Sequence, residues 1–195
     1  MNSREKVLAA ISRNQPAVRS LPSLAGINAV EYEDKQAKFS SVLEGIGGKV
    51  QHVSGYDEIA AYIPAYFTEG TQYITTIPEL TGIQPLLAGQ PAHSLETVEV
   101  ATIPGLFGVA ENGAVWVTQK EAGLRALPFI CQHLVIVLKQ HNMVDNMHQA
   151  YERIGAEQYD FGVFIAGPSK TADIEQSLVL GAHGPRSLVV FLMSA

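Results

Sequence analysis

The sequence predicts an α/β protein with an open, mainly parallel sheet in a three-layer arrangement and helices on both faces. Two observations lead to this fold class. Short runs rich in apolar and β-branched residues alternate with segments whose apolar residues recur at helical spacing, which is the pattern of repeated β-α-β units. Hydrophobic residues make up 47% of the chain and charged residues only 16%, a composition typical of a domain whose sheet is largely buried.

The chain of 195 residues has the length of one ordinary domain. We expect an N-terminal helix and arm over residues 1–30 and a single α/β domain over residues 31–195. The first helix, at residues 3–13, has apolar side chains on one face, and Asn2 with Glu5 has the spacing of a capping box. The following residues contain two prolines and little periodicity, so we expect an arm that wraps the domain or reaches a second subunit.

The elements of the domain are predicted from periodicity and from the residues that end each segment. Helices are expected over residues 32–46, 57–67, 143–154 and 173–180, and strands over residues 49–53, 73–76, 97–102, 134–138, 161–166 and 187–193. Gly47 and Gly155 follow two of the helices as caps, and Pro64 is expected to end or bend another. Strand alternation also flanks residues 111–113 on both sides.

Two loops punctuated by glycine and proline are the most informative part of the chain. Residues 167–175 read Gly-Pro-Ser-Lys-Thr-Ala-Asp-Ile-Glu, and residues 181–185 read Gly-Ala-His-Gly-Pro. Both lie between the predicted strands 161–166 and 187–193, with one short predicted helix between them. Rigid strands around a polar loop and a helix N-terminus commonly form small-molecule sites, so we expect a site here.

These loops resemble the signature of the lactate-utilisation (LUD) domain family. Upstream, residues 108–113 (Gly-Val-Ala-Glu-Asn-Gly) resemble the family's Ala-Glu-Thr-Gly strand motif, and residues 123–128 (Gly-Leu-Arg-Ala-Leu-Pro) resemble its Gly-Arg…Pro segment. Three positions depart from the family pattern: Asn112 replaces the family's usual Thr, Lys170 replaces its usual Arg, and Ala182 replaces its common Val. Because Lys lacks the two-pronged guanidinium of Arg, an anion contact at Lys170 would differ from the family's.

The resemblance implies a fold similar to the NagB/RpiA/CoA-transferase group. It also implies a part in the oxidation of L-lactate to pyruvate, together with partner subunits that carry iron–sulphur clusters. This chain has one cysteine, Cys131, and a cluster needs several thiolates, so we expect no cofactor here and clusters on the partners only. The chain's own task would be to bind a small carboxylate or to organise the partners as a non-catalytic assembly subunit. A homo-oligomer is a further expectation.

Glu111 is the first candidate for catalysis, because it lies at a break between two strongly apolar segments. Asn112-Gly113 is also a good hairpin-turn signal, so Glu111 could simply flank a turn. The sequence Ala-Glu-Asn-Gly is similar to the Ser-Glu-Asn-Gly element of class I acyl-CoA transferases, whose glutamate is a nucleophile. The alternative function is therefore an acyl-CoA or related group transferase with Glu111 as the nucleophile.

The first polar loop offers candidate anion-binding residues. Ser169 and Thr171 carry hydroxyls, Lys170 carries positive charge, and Asp173 and Glu175 open the predicted helix. Hydroxyls and free N–H groups at a helix N-terminus bind carboxylate or phosphate. The alternative is that Ser169 or Thr171 is only the helix N-cap and the two acids complement the helix dipole.

His183 and Arg125 complete the candidate site. An imidazole in a Gly/Pro turn can act as an acid, a base or a hydrogen-bond donor near neutral pH, although loop histidines are often only solvated. Arg125 precedes a predicted buried strand, where a guanidinium can clamp a carboxylate; a surface salt bridge is its other possible role.

Several function classes receive no support from the composition. The net charge of −6 comes without a basic stripe, so we expect no nucleic-acid partner. The histidines and Cys131 lack zinc spacing, and a dinucleotide-binding Gly-x-Gly-x-x-Gly is absent, so we expect no metal and no Rossmann cofactor. The apolar runs are too short to span a bilayer and the first residues are polar, which predicts a cytoplasmic protein.

Overall fold

The computed structural model describes residues 2–20, 29–68, 72–87, 89, 91–172 and 178–194. The helices are α1 Ser3–Arg13, α2 Lys35–Gly45, α3 Tyr56–Tyr66, α4 Gln119–Ala122, α5 Leu127–Ile130 and α6 Met147–Ile154. The strands are β1 Lys49–Val53, β2 Tyr73–Thr75, β3 Gln84–Pro85, β4 Val100–Pro104, β5 Phe107–Val109, β6 Ala114–Thr118, β7 His133–Lys139, β8 Met143–Val144, β9 Gly162–Ile165, β10 Lys170–Ala172, β11 Leu178–Leu180 and β12 Ser187–Met193.

A six-stranded sheet in the order β1-β12-β7-β4-β2-β3 forms the centre of the protein. Its paired strands run parallel. Side chains alternate between its faces, so the Val189 and Phe191 side chains of β12 pack against α3, whereas Leu188 and Val190 pack in the cluster that contains Phe39 of α2. Helices therefore cover both faces, and the predicted mainly parallel α/β fold is confirmed.

A second sheet, which the sequence does not predict as a separate unit, packs over the α2 face. Its order is β8-β5-β6-β9, and β5, β6 and β9 pair antiparallel. Val115 and Val117 of β6 pack in the same core cluster as the large sheet, and Trp116 between them packs with Ala150 of α6. This strand is thus apolar on both faces because each face meets a different layer.

Helix α1 begins with the predicted capping box. Asn2 Oδ1 accepts the Glu5 N–H at 2.8 Å, and the Asn2 N–H donates to Glu5 Oε2 at 2.9 Å. The helix buries no side chain of its own, and Val7, Leu8 and Ile11 are about half exposed. The described part of the arm, residues 14–20, is exposed as well, and its continuation over 21–28 lies outside the described residues.

Helix α2 ends as predicted at a glycine. Gly47 has a φ of 88°, a left-handed conformation that favours glycine. The Gly48 N–H donates to the Leu43 carbonyl and the Gly47 N–H donates to the Glu44 carbonyl, both at 2.9 Å. This is a Schellman motif, and it satisfies two carbonyls that would otherwise lack partners at the helix end.

The predicted helix over residues 173–180 is wrong at its C-terminal end. Leu178–Leu180 is strand β11, which pairs antiparallel with β10 so that Lys170 faces Leu180. Residues 173–177 lie outside the described residues. The Leu-Val-Leu run fits both helix and strand periodicity, and pairing with β10 selects the strand.

Smaller differences concern element ends. The helix expected from residue 143 begins at Met147, because Asn146 caps it and Met143–Val144 is strand β8. The strand expected over residues 97–102 is Val100–Pro104, and α3 continues through Pro64 to Tyr66. The strand at 161–166 is only half-buried, since β9 is an edge strand. In the described part of the chain, no helix is both long and apolar enough to cross a membrane.

Candidate functional site

The two polar loops meet in space, as the sequence predicts. The Ser169 N–H donates to the Pro185 carbonyl at 2.9 Å, and the Ser169 carbonyl accepts the Gly181 N–H at 3.0 Å. Gly184 lies so close that a Cβ at that position would be 3.2 Å from Ser169 Cβ. The absence of a side chain at Gly184 therefore allows the loops to touch, and the backbone bonds hold Ser169 from both sides.

A cavity of about 320 Å³ lies beside this junction. It is located between the large sheet and edge strand β9, near the amino-terminal ends of β7 and β12. Its polar lining comes from Ser169, Lys170 and His183. Its apolar lining comes from Pro128, Phe129, Leu134, Val163, Phe164, Ile165, Ala166, Pro168, Pro185 and Leu188. This volume is at the lower end of the range of small-molecule pockets.

The Lys170 side chain makes a hydrogen bond to a neighbouring helix. Its ammonium donates a hydrogen bond to the Ile46 carbonyl at the end of α2. A cation at a helix C-terminus is favourable because the carbonyl end carries partial negative charge. Lys170 therefore joins the cavity loop to the C-terminal end of α2.

The charge of the cavity lining favours an anionic ligand. Lys170 is positive and His183 is exposed, with ring nitrogens that can donate or accept. Among the described residues that line the cavity there is no Asp or Glu. A carboxylate entering beside Ser169 would thus meet a hydroxyl and cationic or neutral donors without a like charge on these residues.

Glu111 lies in a different place. It is exposed in the turn between β5 and β6, and the predicted hairpin is confirmed by their antiparallel pairing. Glu111 Oε1 accepts the Met147 N–H at 3.2 Å, and its own N–H donates to the Asp145 carbonyl at 3.0 Å. Glu111 therefore ties the turn to the N-terminus of α6, and it does not belong to the described lining of the cavity.

The other predicted site residues are dispersed. Arg125 donates to Gln119 and lies over the ring of Phe161, with 5.6 Å between its guanidinium carbon and the ring centroid. Phe161 in turn contacts Phe129 of the cavity wall at a centroid distance of 6.4 Å. Thr171 is in β10, outside the described lining. Asp173 and Glu175 lie outside the described residues.

The predicted start of the helix at residue 173, where an anion is expected to bind, lies outside the described residues, and the residues just before it form a strand. Lys170–Ala172 is β10, so Ser169 and Thr171 do not cap a helix beginning at these residues. What brings Ser169 into the cavity is its backbone pairing with Gly181 and Pro185. Among the described residues, the donors beside it are the side chains of Lys170 and His183.

Sequence reasoning missed the apolar wall of the cavity. Phe129, Leu134 and Leu188 follow ordinary core patterns, and Leu134 and Leu188 are 1% exposed. What could have indicated them is that each lies close in the chain to one of the motifs that resemble the family. Periodicity indicates burial but does not distinguish a wall facing a cavity from a packed interior.

A larger and more open depression of about 1160 Å³ lies between α4 and residues 155–161. None of the predicted site residues is among its described lining. Burial raises the pKa of the Cys131 thiol to about 12, so this cysteine is not an activated nucleophile. Within the described ranges, no three His, Cys, Asp or Glu side chains form a group that could hold a metal ion; the expectation of no metal stays a prediction.

Comparison with known proteins supports the resemblance seen in the motifs. The family model described as the LUD domain matches residues 93–193. A lactate utilization protein C of Bacillus pumilus is 32% identical over 93 residues, which cover 45% of this chain and 39% of that protein. One from Shouchella clausii is 32% identical over 101 residues, covering 48% of this chain and 44% of that protein. The matched stretch thus spans less than half the length of these relatives.

A solved structure shows the same fold. The crystal structure of a DUF162 family protein from Deinococcus radiodurans superposes with a TM-score of 0.65 and 19% sequence identity, covering 85% of this chain and 99% of that one. The family match includes the cavity loops and the turn of Glu111, and the structural match covers a larger share of the chain than the family match does.

Proposed function

Because this chain belongs to the LUD domain family, we propose that it takes part in lactate utilisation and binds a small carboxylate in the cavity beside Ser169 and His183. The observation that carries the proposal is the meeting of the two family-like loops at that cavity, with Ser169, Lys170 and His183 among its lining. The curated relatives named lactate utilization protein C point to the same process.

The cavity offers a carboxylate two kinds of contact. The Ser169 hydroxyl and the His183 imidazole can donate hydrogen bonds, and Lys170 adds positive charge nearby. Bonds to a charged carboxylate are stronger than neutral ones. A 2-hydroxy acid brings a hydroxyl as well, for which a neutral His183 nitrogen is a suitable acceptor.

The oxidation itself needs a partner in this proposal. Converting L-lactate to pyruvate releases two electrons and two protons, and this chain has one cysteine, too few to ligate an iron–sulphur cluster. We assign electron transfer to iron–sulphur partner subunits and substrate binding to this chain. In this proposal His183 takes the proton of the lactate hydroxyl, the two electrons of the C2–H bond pass to the partner subunits, and the proton of that bond is released to water. A cytoplasmic location is part of the same proposal.

Titration calorimetry and thermal denaturation with L-lactate and pyruvate test this proposal, with lactamide as the uncharged comparison. A ligand at about 100 times its Kd stabilises the fold by about 2.7 kcal/mol, which raises the Tm by a few degrees. We expect stabilisation by the acids, little by lactamide, and loss of the effect in Ser169→Ala and His183→Ala. His148→Ala, an exposed histidine of α6, is the matched control.

The transferase alternative receives less support from the geometry. Its nucleophile would be Glu111, whose carboxylate is exposed and accepts the Met147 N–H. Incubation with an acyl-CoA followed by hydroxylamine would convert an acylated Glu111 into a hydroxamate, which mass spectrometry detects. We expect an unmodified protein. A hydroxamate at Glu111 would favour the transferase function over carboxylate binding in lactate utilisation.

A further inference from the structure

We propose that the cavity selects 2-hydroxy or 2-oxo acids whose side chain is larger and more apolar than the methyl group of lactate, with a branched aliphatic or aromatic group. This inference rests on the proposed function, since it takes the carboxylate to bind beside Ser169 and His183. It concerns the apolar side chains that line the same cavity, and it names the class of substrate.

The first argument is volume. An apolar cavity of about 150 Å³ is enough to hold benzene, which has six non-hydrogen atoms. Lactate also has six non-hydrogen atoms, whereas the cavity measures about 320 Å³. Bound lactate would therefore leave roughly half of the space unfilled. A branched or aromatic 2-hydroxy acid would fill it.

The second argument is the separation of polar and apolar lining. The hydrogen-bonding side chains come from the two loops, Ser169 and Lys170 on one and His183 on the other. The accessible apolar side chains come from α5 and β9, where Phe129 is partly exposed and Val163 and Ile165 are half-buried. Leu134 of β7 and Leu188 of β12 close the cavity from beneath and are almost fully buried. A ligand with a charged head and a methyl group would leave Phe129 and the exposed parts of Val163 and Ile165 in contact with water. An apolar substituent would cover them, and burial of apolar surface is favourable.

The third argument is the exposure of the Phe129 ring. Its side chain is 41% exposed although it lines the cavity. Its ring is held by Phe161 in an edge-to-face contact at 6.4 Å, so it does not depend on the cavity for its position. An exposed aromatic ring on a cavity wall is a typical contact for an apolar or aromatic ligand group. We assign Phe129 the role of a specificity-determining residue.

Calorimetric titration with L-lactate, 2-hydroxybutyrate, 2-hydroxy-4-methylpentanoate and 3-phenyllactate tests this inference, with the amide of 2-hydroxy-4-methylpentanoic acid as the uncharged comparison. Each buried methylene is expected to tighten binding by roughly fourfold. We expect 2-hydroxy-4-methylpentanoate to bind at least about tenfold more tightly than L-lactate, and its amide to bind weakly.

A matched pair of variants locates the effect. Phe129→Ala should weaken binding of 2-hydroxy-4-methylpentanoate and 3-phenyllactate by at least about fivefold, and change lactate affinity by less than about twofold. Tyr66→Ala removes an aromatic ring of similar exposure from α3, on the other face of the sheet, and should change neither affinity. Since both positions are about half exposed, neither variant should prevent folding.

The outcomes separate this inference from the proposed function. Tightest binding of lactate, with exclusion of the larger acids, would overturn the inference and leave the proposed function standing. Failure of every acid to bind would overturn the proposed function and the inference with it. Equal binding of the acid and its amide would also contradict both, because the carboxylate would then have no role.

Discussion

The Lys35 ammonium lies 2.8 Å from the Asp145 carboxylate, at the junction of α2 with the turn that precedes α6. The other oxygen of the carboxylate accepts the Tyr32 N–H at 2.8 Å. The Asp145 side chain is 3% exposed, so this acid is buried and partnered. These contacts hold the chain before α2 against α6, and they place α2 over the second sheet.

We expect Asp145→Asn to destabilise the fold. The change removes the charge that Lys35 neutralises and leaves its ammonium without this partner. Since the Lys35 side chain is 41% exposed, water solvates the unpaired ammonium and offsets part of the lost interaction. We expect the free energy of unfolding to fall by about 1–3 kcal/mol. Urea denaturation at pH 7 measures it, with the exposed Glu33→Gln nearby as the control. Equal midpoints for the two variants would show that the pair contributes no stability.

The same pair predicts how stability depends on pH. Burial alone would raise the pKa of Asp145, but the hydrogen bonds from Lys35, Tyr32 and Gln149 outweigh it, so the folded-state pKa lies below the ordinary value. The unfolded chain then binds more protons than the folded one at acid pH, and stability rises with pH there. The contribution is fully present above the unfolded pKa of about 3.9 and is lost as the pH falls through the lower folded value.

Unfolding free energies of the wild type and Asp145→Asn over a series of pH values check this dependence. We expect the difference between them to stay constant near neutrality and to shrink in the acid range. A difference that did not change with pH would assign the effect of the substitution to packing rather than to charge.

Glu111→Gln should leave ligand binding intact and lower stability slightly. The carboxylate accepts the Met147 N–H at the start of α6, and a negative charge there is worth about 0.3–1 kcal/mol. Calorimetric titration and urea denaturation separate the two effects. Glu152→Gln, exposed on the same helix, is the control. Complete loss of ligand binding in Glu111→Gln would instead place Glu111 in the binding machinery.

Lys170→Ala should affect both folding and binding. The Lys170 ammonium contacts the Ile46 carbonyl, and Lys170 is among the residues that line the cavity. We therefore expect a loss of stability of about 0.3–1 kcal/mol together with weaker carboxylate binding. Lys170→Arg keeps the charge and should restore most of both. If Lys170→Ala lowered stability without changing affinity, its charge would serve α2 alone.

Deletion of residues 1–14 should leave the domain as stable as before. Helix α1 buries no side chain, so its removal exposes no core surface. Scanning calorimetry of the shortened protein checks this expectation. Co-purification with an iron–sulphur partner then tests whether α1 contributes to assembly. A Tm lower by several degrees would show that α1 packs on the domain.

Local chemistry was predictable where neighbouring residues decide the structure. The Asn2–Glu5 capping box, the glycine end of α2 and the hairpin at Glu111 follow from contacts within a few residues, and all three are confirmed. The continuous apolar run of β12 was predictable because a strand with both faces buried is apolar at successive positions. The family motifs were recognisable because each consists of consecutive residues.

The candidate site was predictable only in part. Ser169, Lys170 and His183 meet at one cavity, whereas Glu111 and Arg125 lie elsewhere. Residues that belong to the same set of family-like motifs need not lie together in the fold. Glu111, for example, lies in a turn of the second sheet and contacts α6. Thr171 lies outside the described lining, and residues 173–177 of the same loop lie outside the described residues.

The α/β class, the ends of several helices and the family could be read from consecutive residues, because they depend on periodicity, short-range hydrogen bonds and short motifs. The strand at Leu178–Leu180, the second sheet over one face and the cavity bordered by Phe129 and Leu188 could be found only in the folded protein. The reason is that these features arise from pairing and packing between segments far apart in the chain, where an apolar residue satisfies a strand, a helix or a pocket wall equally well.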